Sequence, residues 1–294
     1  TETRVKIGLI YLEKGDLDVG YTLSGADFDG LEHNPNIVIE RVPGGGFYYF
    51  SVNMKDPDLG RKEVRQALRW CIDYEGINAS IMRNYGILWR RQVIPGVVGS
   101  LPDLDYRLDV DRCKAELAAA GYPNGFKKTL RTLSAPPFSE IATAVQASMA
   151  KAGVQLTIVP GNGEQVYGFM RNRDFETLVG RSGGGLVPDP HDTLRSNAHN
   201  WDNRDEAKLT GQLAWRASWY VPEVNALIEA GLAEVDQDKR KVIYEEVQGL
   251  IEAAVPFVFP ISQRLDPFAR STRVLNYPVD PTWMVRWELV EKAD

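Results

Sequence analysis

The chain has 294 residues, with 34 Lys and Arg against 40 Asp and Glu, for a formal net charge of −6. With 44% apolar and 25% charged residues, it can bury a sizeable core and is not a disordered segment. The acidic balance and the lack of any Lys/Arg block exclude a nucleic-acid footprint or a polybasic membrane anchor, and no run approaches the ~18 apolar residues of a transmembrane helix.

Length alone suggests about two domains. Residues 3–14 predict a helix closed by Gly15, then a short strand Leu17–Gly20. This opening stretch lacks an apolar h-region and a cleavage site, so it does not read as a signal peptide; the chain is either cytosolic or a mature or truncated product. A second strand covers Asn36–Arg41. PGGGFYYFSVN then places the triplet Gly44–Gly46 ahead of an aromatic strand reaching Asn53. The triplet reads as a plain turn or as a hinge.

From Arg61, the residues Val64, Ala67, Leu68, Cys71 and Ile72 recur at helical spacing. Residues 86–107 are loop, punctuated by Gly and Pro. Asp109–Ala120 is the next helix, with Val110, Cys113 and Leu117 on one face and Gly121 as its stop. The strand Lys127–Leu133, a helix from N-cap Ser139 to Gly153, and the strand Val154–Val159 make a right-handed βαβ unit. Phe175–Gly180 is a strand feeding the loop RSGGGLVPDPHD. Helices Pro222–Glu234 and Asp238–Ala253 precede an apolar strand, Val255–Ile261. The fold class is α/β, with a large body entered and left through the strands at 47–53 and 255–261.

Little of the chain carries recognisable chemistry. Walker, G-x-S-x-G and H-E-x-x-H motifs are absent, and three histidines leave little for His-based catalysis. Asp189, His191, Asp192, His199 and Asp202 form the densest polar cluster, but their spacing fits no metal template, and a helix cap on a solvated loop explains them. The pairs Asp16/Asp18 and Asp103/Asp105 sit in strand and turn contexts, without evidence of a facing cleft. Cys71 and Cys113 are too few for a disulfide framework and read as buried free thiols; nothing in their spacing supports a disulfide. Trp70 and Trp287 fall inside predicted elements and read as core. Trp201, Trp215 and Trp219 cluster where predicted structure is thin, either as flat contact area for a ligand or as loop anchors.

The order of motifs resembles one family. FSVNMKDPDLGRKEVRQALRWCIDYEGI resembles the strand and V-R-x-A-L…A-I-D helix of family 5 extracytoplasmic solute-binding proteins. DYRLDVDRCKAELAAAGYPNGF is similar to that family's Y-x-x-D…A-G-Y-P-x-G-F signature. YVPEVNALIEAGLAEVDQDKRKVIYEEVQGLIEAAVPFVFPI resembles its paired helices and D-x-P-x-x-P-L strand, and LEKGDLDVG its L-x-x-G-E-x-D segment. These are the peptide, nickel and oligosaccharide binding components of ABC importers.

The resemblance implies type II periplasmic-binding-protein lobes, with mixed sheets flanked by helices and joined by a two-strand hinge. Residues 44–261 would be the complete C-terminal ligand-binding lobe, and residues 1–43 and 262–294 a remnant of the first lobe. Family members are considerably longer, so a portion truncated at the N-terminus is expected. The implied function is a non-enzymatic, periplasmic or membrane-tethered binding component that closes on a peptide-like or other small polar solute and hands it to a membrane permease. It would act as a monomer without cofactor, metal or nucleic acid. Arg65, Ala67 and Asp73 match family positions that read as packing and capping.

The loop RSGGGLVPDPHD corresponds to the family's G-W-x-x-D-x-x-D-P segment. Asp189 and Pro190 supply the final D-P, Gly183 stands at the usual Trp, and Leu186 at the Asp that pairs with a peptide's free amine. Leucine cannot make that charge-assisted contact. The expected ligand-binding residues are therefore Gly183, Gly184, Gly185, Leu186 and Asp189, with Trp201 and Trp219. The competing classes are a hydrolase or other enzyme with its site in the same cleft, and a ligand sensor working without transport. The first requires a convergent nucleophile, base or metal; an adjacent permease and ATPase would separate transport from sensing.

Overall fold

The computed structural model describes residues 2–21, 23–182, 189–279 and 284–293. In chain order, α1 (Glu2–Lys14), β1 (Val19–Gly20) and α2 (Gly25–Leu31) precede the long strand β2 (Ile37–Val52). Then come α3 (Lys62–Arg69), α4 (Tyr74–Ser80), β3 (Gly86–Leu88) and α5 (Val110–Ala119). The alternating section holds β4 (Lys127–Leu133), α6 (Phe138–Ala150), β5 (Gln155–Gly161), α7 (Gly163–Arg171) and β6 (Thr177–Arg181). The helices α8 (Pro190–Asn197), α9 (Leu213–Arg216), α10 (Pro222–Ala233) and α11 (Gln237–Ala254) lead to β7 (Val258–Ser271). The short strands β8 (Val274–Asn276) and β9 (Glu291–Lys292) pair near the end.

Seven strands form one mixed sheet in the order β1-β7-β2-β6-β4-β5, with β3 also on β7. β4 lies parallel to both β5 and β6, so the predicted βαβ unit is present. β2 runs antiparallel to both β6 and β7.

The two strands expected on either side of the glycine triplet are a single strand. Pro43 pairs with Leu265 and Phe47 with Gln263, so β2 takes four steps where β7 takes two. Gly44–Gly46 is therefore a bulge within the strand and not a turn between strands. A Cβ on Gly44 would collide with Asp266 Oδ2, and Gly46 has φ +91°, so both positions suit glycine. β7 likewise runs ten residues past the expected end at Ile261. Its prolines and polar residues resemble breakers, but Pro260 and Pro267 of β7, like Pro43 of β2, each fall where the strand has a ladder partner on one side only, the setting in which a sheet tolerates proline.

The apolar cores divide at the bulge. The main core draws its buried residues from Phe47 to Ile261. Separate clusters form around Leu12, Leu23, Phe28, Leu31 and Ala269, and around Phe268, Val274 and Tyr277. Tyr85 packs against both the main core and the Leu12 cluster, and its hydroxyl donates to the Leu23 carbonyl at 3.0 Å.

Short polar side chains start several helices. Ser24 and Asp27 form a capping box on α2, and Asn162 and Gln165 one on α7. Asp73, Asp109 and Asp236 cap α4, α5 and α11. Ser139 is not a cap, because α6 already begins at Phe138. Trp70 is buried as expected, whereas Trp287 is 68% exposed and rests edge-on against Tyr277.

The reading of Cys71 and Cys113 as free thiols is corrected: they form a disulfide, with Cα atoms 5.5 Å apart. Cys71 lies just beyond α3, which ends at Arg69, and the packing of α3 on α5 brings it to Cys113. Neither cysteine is exposed. The bond closes a loop of 42 residues, and replacing both cysteines by serine should lower unfolding stability by about 2–5 kcal/mol. Urea titration of wild type and the double variant checks this; equal midpoints would show the bond to be absent or inconsequential.

Candidate ligand-binding site

Strand order alone marks a crevice. The chain leaves β4 through α6 to β5 on one side, then returns through α7 to β6 on the other. The connections therefore diverge outside the carboxyl ends of β4 and β6, where open α/β sheets bind ligands. The strands end together: Leu133 is in register with Gly161, and the Ser134 amide donates to the Gly161 carbonyl at 2.9 Å. The Ser182 amide donates to the Phe47 carbonyl at 2.9 Å, which ties the end of β6 to β2 beside the bulge.

Tyr48, directly opposite Arg181 across β2 and β6, is central to this end. Its ring packs on Phe138, the first residue of α6, with centroids 5.5 Å apart. Burial pushes the Tyr48 phenol up, and the neighbouring Arg181 and Arg264 guanidiniums work against that shift. Arg264 is already committed to Asp266 at 2.7 Å. Glu140, in the first turn of α6, has its carboxyl raised by burial, partly offset by a backbone hydrogen bond. Tyr85 is raised by burial and then by the charge of Glu140. Two other depressions lie outside this region. One of about 580 Å³ is bordered by Trp89, Val98 and Lys241, and one of about 390 Å³ by Lys55, Arg131 and Arg173.

Gly183, Gly184, Gly185 and Leu186 lie outside the described residues. Asp189 caps α8, accepting from the His191 amide at 2.8 Å. Both its carboxylate oxygens accept from the Arg240 guanidinium of α11, each at 2.8 Å. Arg240, followed by the His191 amide, holds the Asp189 carboxyl below its ordinary range against the opposing effect of burial. Asp189 is thus a fastening between the loop and α11. Trp201 is 48% exposed, with its ring 5.0 Å from that of His199. Trp219 is 2% exposed and packs on Phe257, so its ring has no open face for a ligand. Trp215 is also buried and donates to the Arg204 carbonyl at 3.0 Å.

The polar cluster is dispersed among separate contacts. His191 Nδ1 is 3.1 Å from the Tyr244 hydroxyl, His199 Nε2 is 3.1 Å from Glu229, and Asp202 pairs with Arg204. Among the described residues no three His, Cys, Asp or Glu side chains are grouped to hold a metal. Sequence reasoning missed Tyr48, Glu140 and Arg181 at the crevice. Arg181 carried the available signal: it is the last residue of a strand that opens into a glycine-rich loop.

The family model for bacterial extracellular solute-binding proteins, family 5 Middle, matches residues 9–205. The chain belongs to this family. The dipeptide-binding protein of Escherichia coli is 25% identical over 279 residues, covering 92% of this chain and 50% of the relative. The dipeptide binding protein from Pseudoalteromonas sp., solved in complex with Met-Leu, superposes with a TM-score of 0.83 at 22% identity, over 98% of this chain and 56% of that one. The ABC transporter-associated periplasmic binding protein from Helicobacter pylori, in complex with the peptide STSA, gives 0.81 at 21% identity, over 98% and 55%. The fold is the α/β type II periplasmic-binding-protein fold. This family 5 chain spans about half the length of the curated relatives it matches.

The Asp189–Arg240 contact yields a signed pH dependence. Asp189→Asn should cost about 1–2 kcal/mol near neutral pH, through lost charge-assisted bonding. A native carboxyl held low stabilises the fold above its ordinary value of 3.8 and ceases to as pH falls through the native value. Wild type and variant should therefore converge in acid, as read by denaturant titration across pH. A pH-independent difference would assign the loss to packing alone.

Proposed function

We propose that the protein is the extracytoplasmic solute-binding component of an ABC importer. Residues 44–261 form its ligand-holding lobe, and residues 1–43 and 262–294 belong to a second lobe. The observation that carries this reading is the crevice at the carboxyl ends of β4 and β6, which abuts the bulged strand pair between separate cores. A solute seated there reaches both sides of the junction, so it binds the closed arrangement better than the open one and shifts the population toward it. The closed form is what a membrane permease would recognise.

Three further observations support the reading. The Cys71–Cys113 bond fits an oxidising compartment outside the cytoplasm. No described helix is long and apolar enough to cross a membrane. The relatives are named for what they bind, dipeptides among them, which favours binding without turnover and a peptide-like or other small polar solute. Leu186 stands where peptide-binding members carry an acid, and this favours a solute held without a free-amine pair.

The test is retention from a defined panel of dipeptides, N-acetyl dipeptides, sugars and sugar acids. The protein is incubated, desalted and denatured, and the released compounds are read by mass spectrometry. At least one solute should be retained unaltered in a 1:1 ratio and should raise Tm; at a hundredfold excess over Kd the added stability is about 2.7 kcal/mol. N-acetylation of a retained dipeptide should leave retention intact. Failure to retain any compound, or release of a chemically altered one, would overturn the proposal.

A further inference from the structure

His191 is a half-buried titratable group that the solute-binding reading does not use, and it sits where the loop leaving β6 ends. It occupies the first turn of α8, and its own amide donates to Asp189, the cap of that helix. Two residues of α11 face it. Arg240 holds both oxygens of Asp189, and its guanidinium also donates to the Tyr244 hydroxyl at 3.4 Å. That hydroxyl, on a tyrosine buried from solvent, lies 3.1 Å from His191 Nδ1.

These donors and acceptors fix the protonation of the ring. A guanidinium only donates, so Tyr244 accepts from Arg240 and gives its own proton to His191 Nδ1. Nδ1 is therefore the unprotonated nitrogen of a neutral imidazole. An imidazolium has two N–H groups, and the site matches neither of them. Nδ1–H would meet the Tyr244 donor, and Nε2 is buried with no hydrogen-bond partner among the described residues. The added charge would also lie at the positive end of α8, with Arg240 and Arg195 opposing it. Asp189 and Glu229 of α10 favour it. However, Asp189 is committed to Arg240, and Glu229 lies 3.1 Å from Nε2 of the neighbouring His199. Burial is the largest influence and holds His191 below its ordinary value of 6.5.

We propose that His191 is a proton-operated latch: neutral, it holds the start of α8 on α11, and protonated, it releases that end of α8 and the loop exit with it. The consequence for a solute rests on the solute-binding reading above. The crevice lies where β6 ends, so freeing the far end of the loop weakens retention in mild acid. A native imidazole that resists protonation stabilises the fastened form above 6.5, and this is lost as pH falls through the native value. Asp189 titrates below 3.8, so the two events fall in different ranges. His199 is not the sensor, because Glu229 gives its imidazolium a partner.

The test spans about pH 7.5 to about pH 4.5. It follows the ring titrations of the three histidines by NMR and the hydrogen exchange of α8, corrected for the intrinsic effect of pH. It also follows retention of the panel of dipeptides, N-acetyl dipeptides, sugars and sugar acids. Protection of α8 in wild type should fall by about tenfold or more, with the midpoint of the His191 titration. His191→Gln, whose amide stays neutral, should abolish the fall, whereas His199→Gln should keep it. Tyr244→Phe removes the donor facing Nδ1 and should move the midpoint to higher pH. A compound retained at the upper pH should be held about tenfold more weakly in acid by wild type, and equally at both by His191→Gln. Unchanged protection, a midpoint apart from that of His191, or an equal fall in His191→Gln overturns the latch. The wild-type midpoints decide this even where a variant fails to fold. Release of α8 without weaker retention overturns its control of the solute. Retention of no compound at any pH overturns the solute-binding reading alone, since exchange still decides the latch.

Discussion

The rest of the structure depends on the antiparallel pairing of β2 with β7. These are the longest strands, and they pair along most of their length. Each begins in one apolar core and ends in another. Between the cores the pair is not a regular ladder. The glycine triplet adds two residues on β2, and the slack is stitched by the Arg264–Asp266 pair on β7. A bulge increases local twist and leaves residues unpaired, so this long strand pair shared by the cores is irregular at its crossing. Rotation of one core against the other would need only a few backbone dihedrals to change there. Tyr85 packs on both cores beside this crossing.

The same pair places the crevice. Because β6 joins the sheet through β2, the carboxyl end of β6 lies against the part of β2 that emerges from the bulge. Tyr48 therefore belongs to the joining strand, the floor of the crevice and the contact surface of α6 at once. Arg181 lies one residue pair from the crossing. A solute that touched both cores there would favour one arrangement of them over another.

Much of this was legible in the sequence. The helical spacing of Val64, Ala67 and Leu68, the strand Lys127–Leu133 and the βαβ unit depend on local periodicity, and they are present with small boundary shifts. The joining strands were the least legible. Gly44–Gly46 and Pro267 are ordinary punctuation by local rules, and only the position of neighbouring strands makes them compatible with a ladder. The disulfide was hidden for a similar reason: its partners meet through the packing of α3 on α5, a contact no spacing rule encodes. Trp219 and Arg181 show the same limit at the site. An indole in an apparently loose segment is buried on Phe257, whereas an arginine at an ordinary strand end faces the switch point. Chemical type alone does not assign such roles; topology does.

Asp189 and Arg181 stand at the two ends of the loop between β6 and α8, and the fold fastens them differently. Asp189 satisfies its charge internally, with a helix amide on one side and a bidentate arginine on the other. A carboxylate so engaged has little left for a ligand, and it fixes the exit of the loop to α11. Arg181 has its backbone amide tied to the Tyr167 hydroxyl and sits opposite Tyr48 across the strands. Preorganisation lowers the ordering cost of binding only when the backbone is fixed and the recognising group stays unsatisfied.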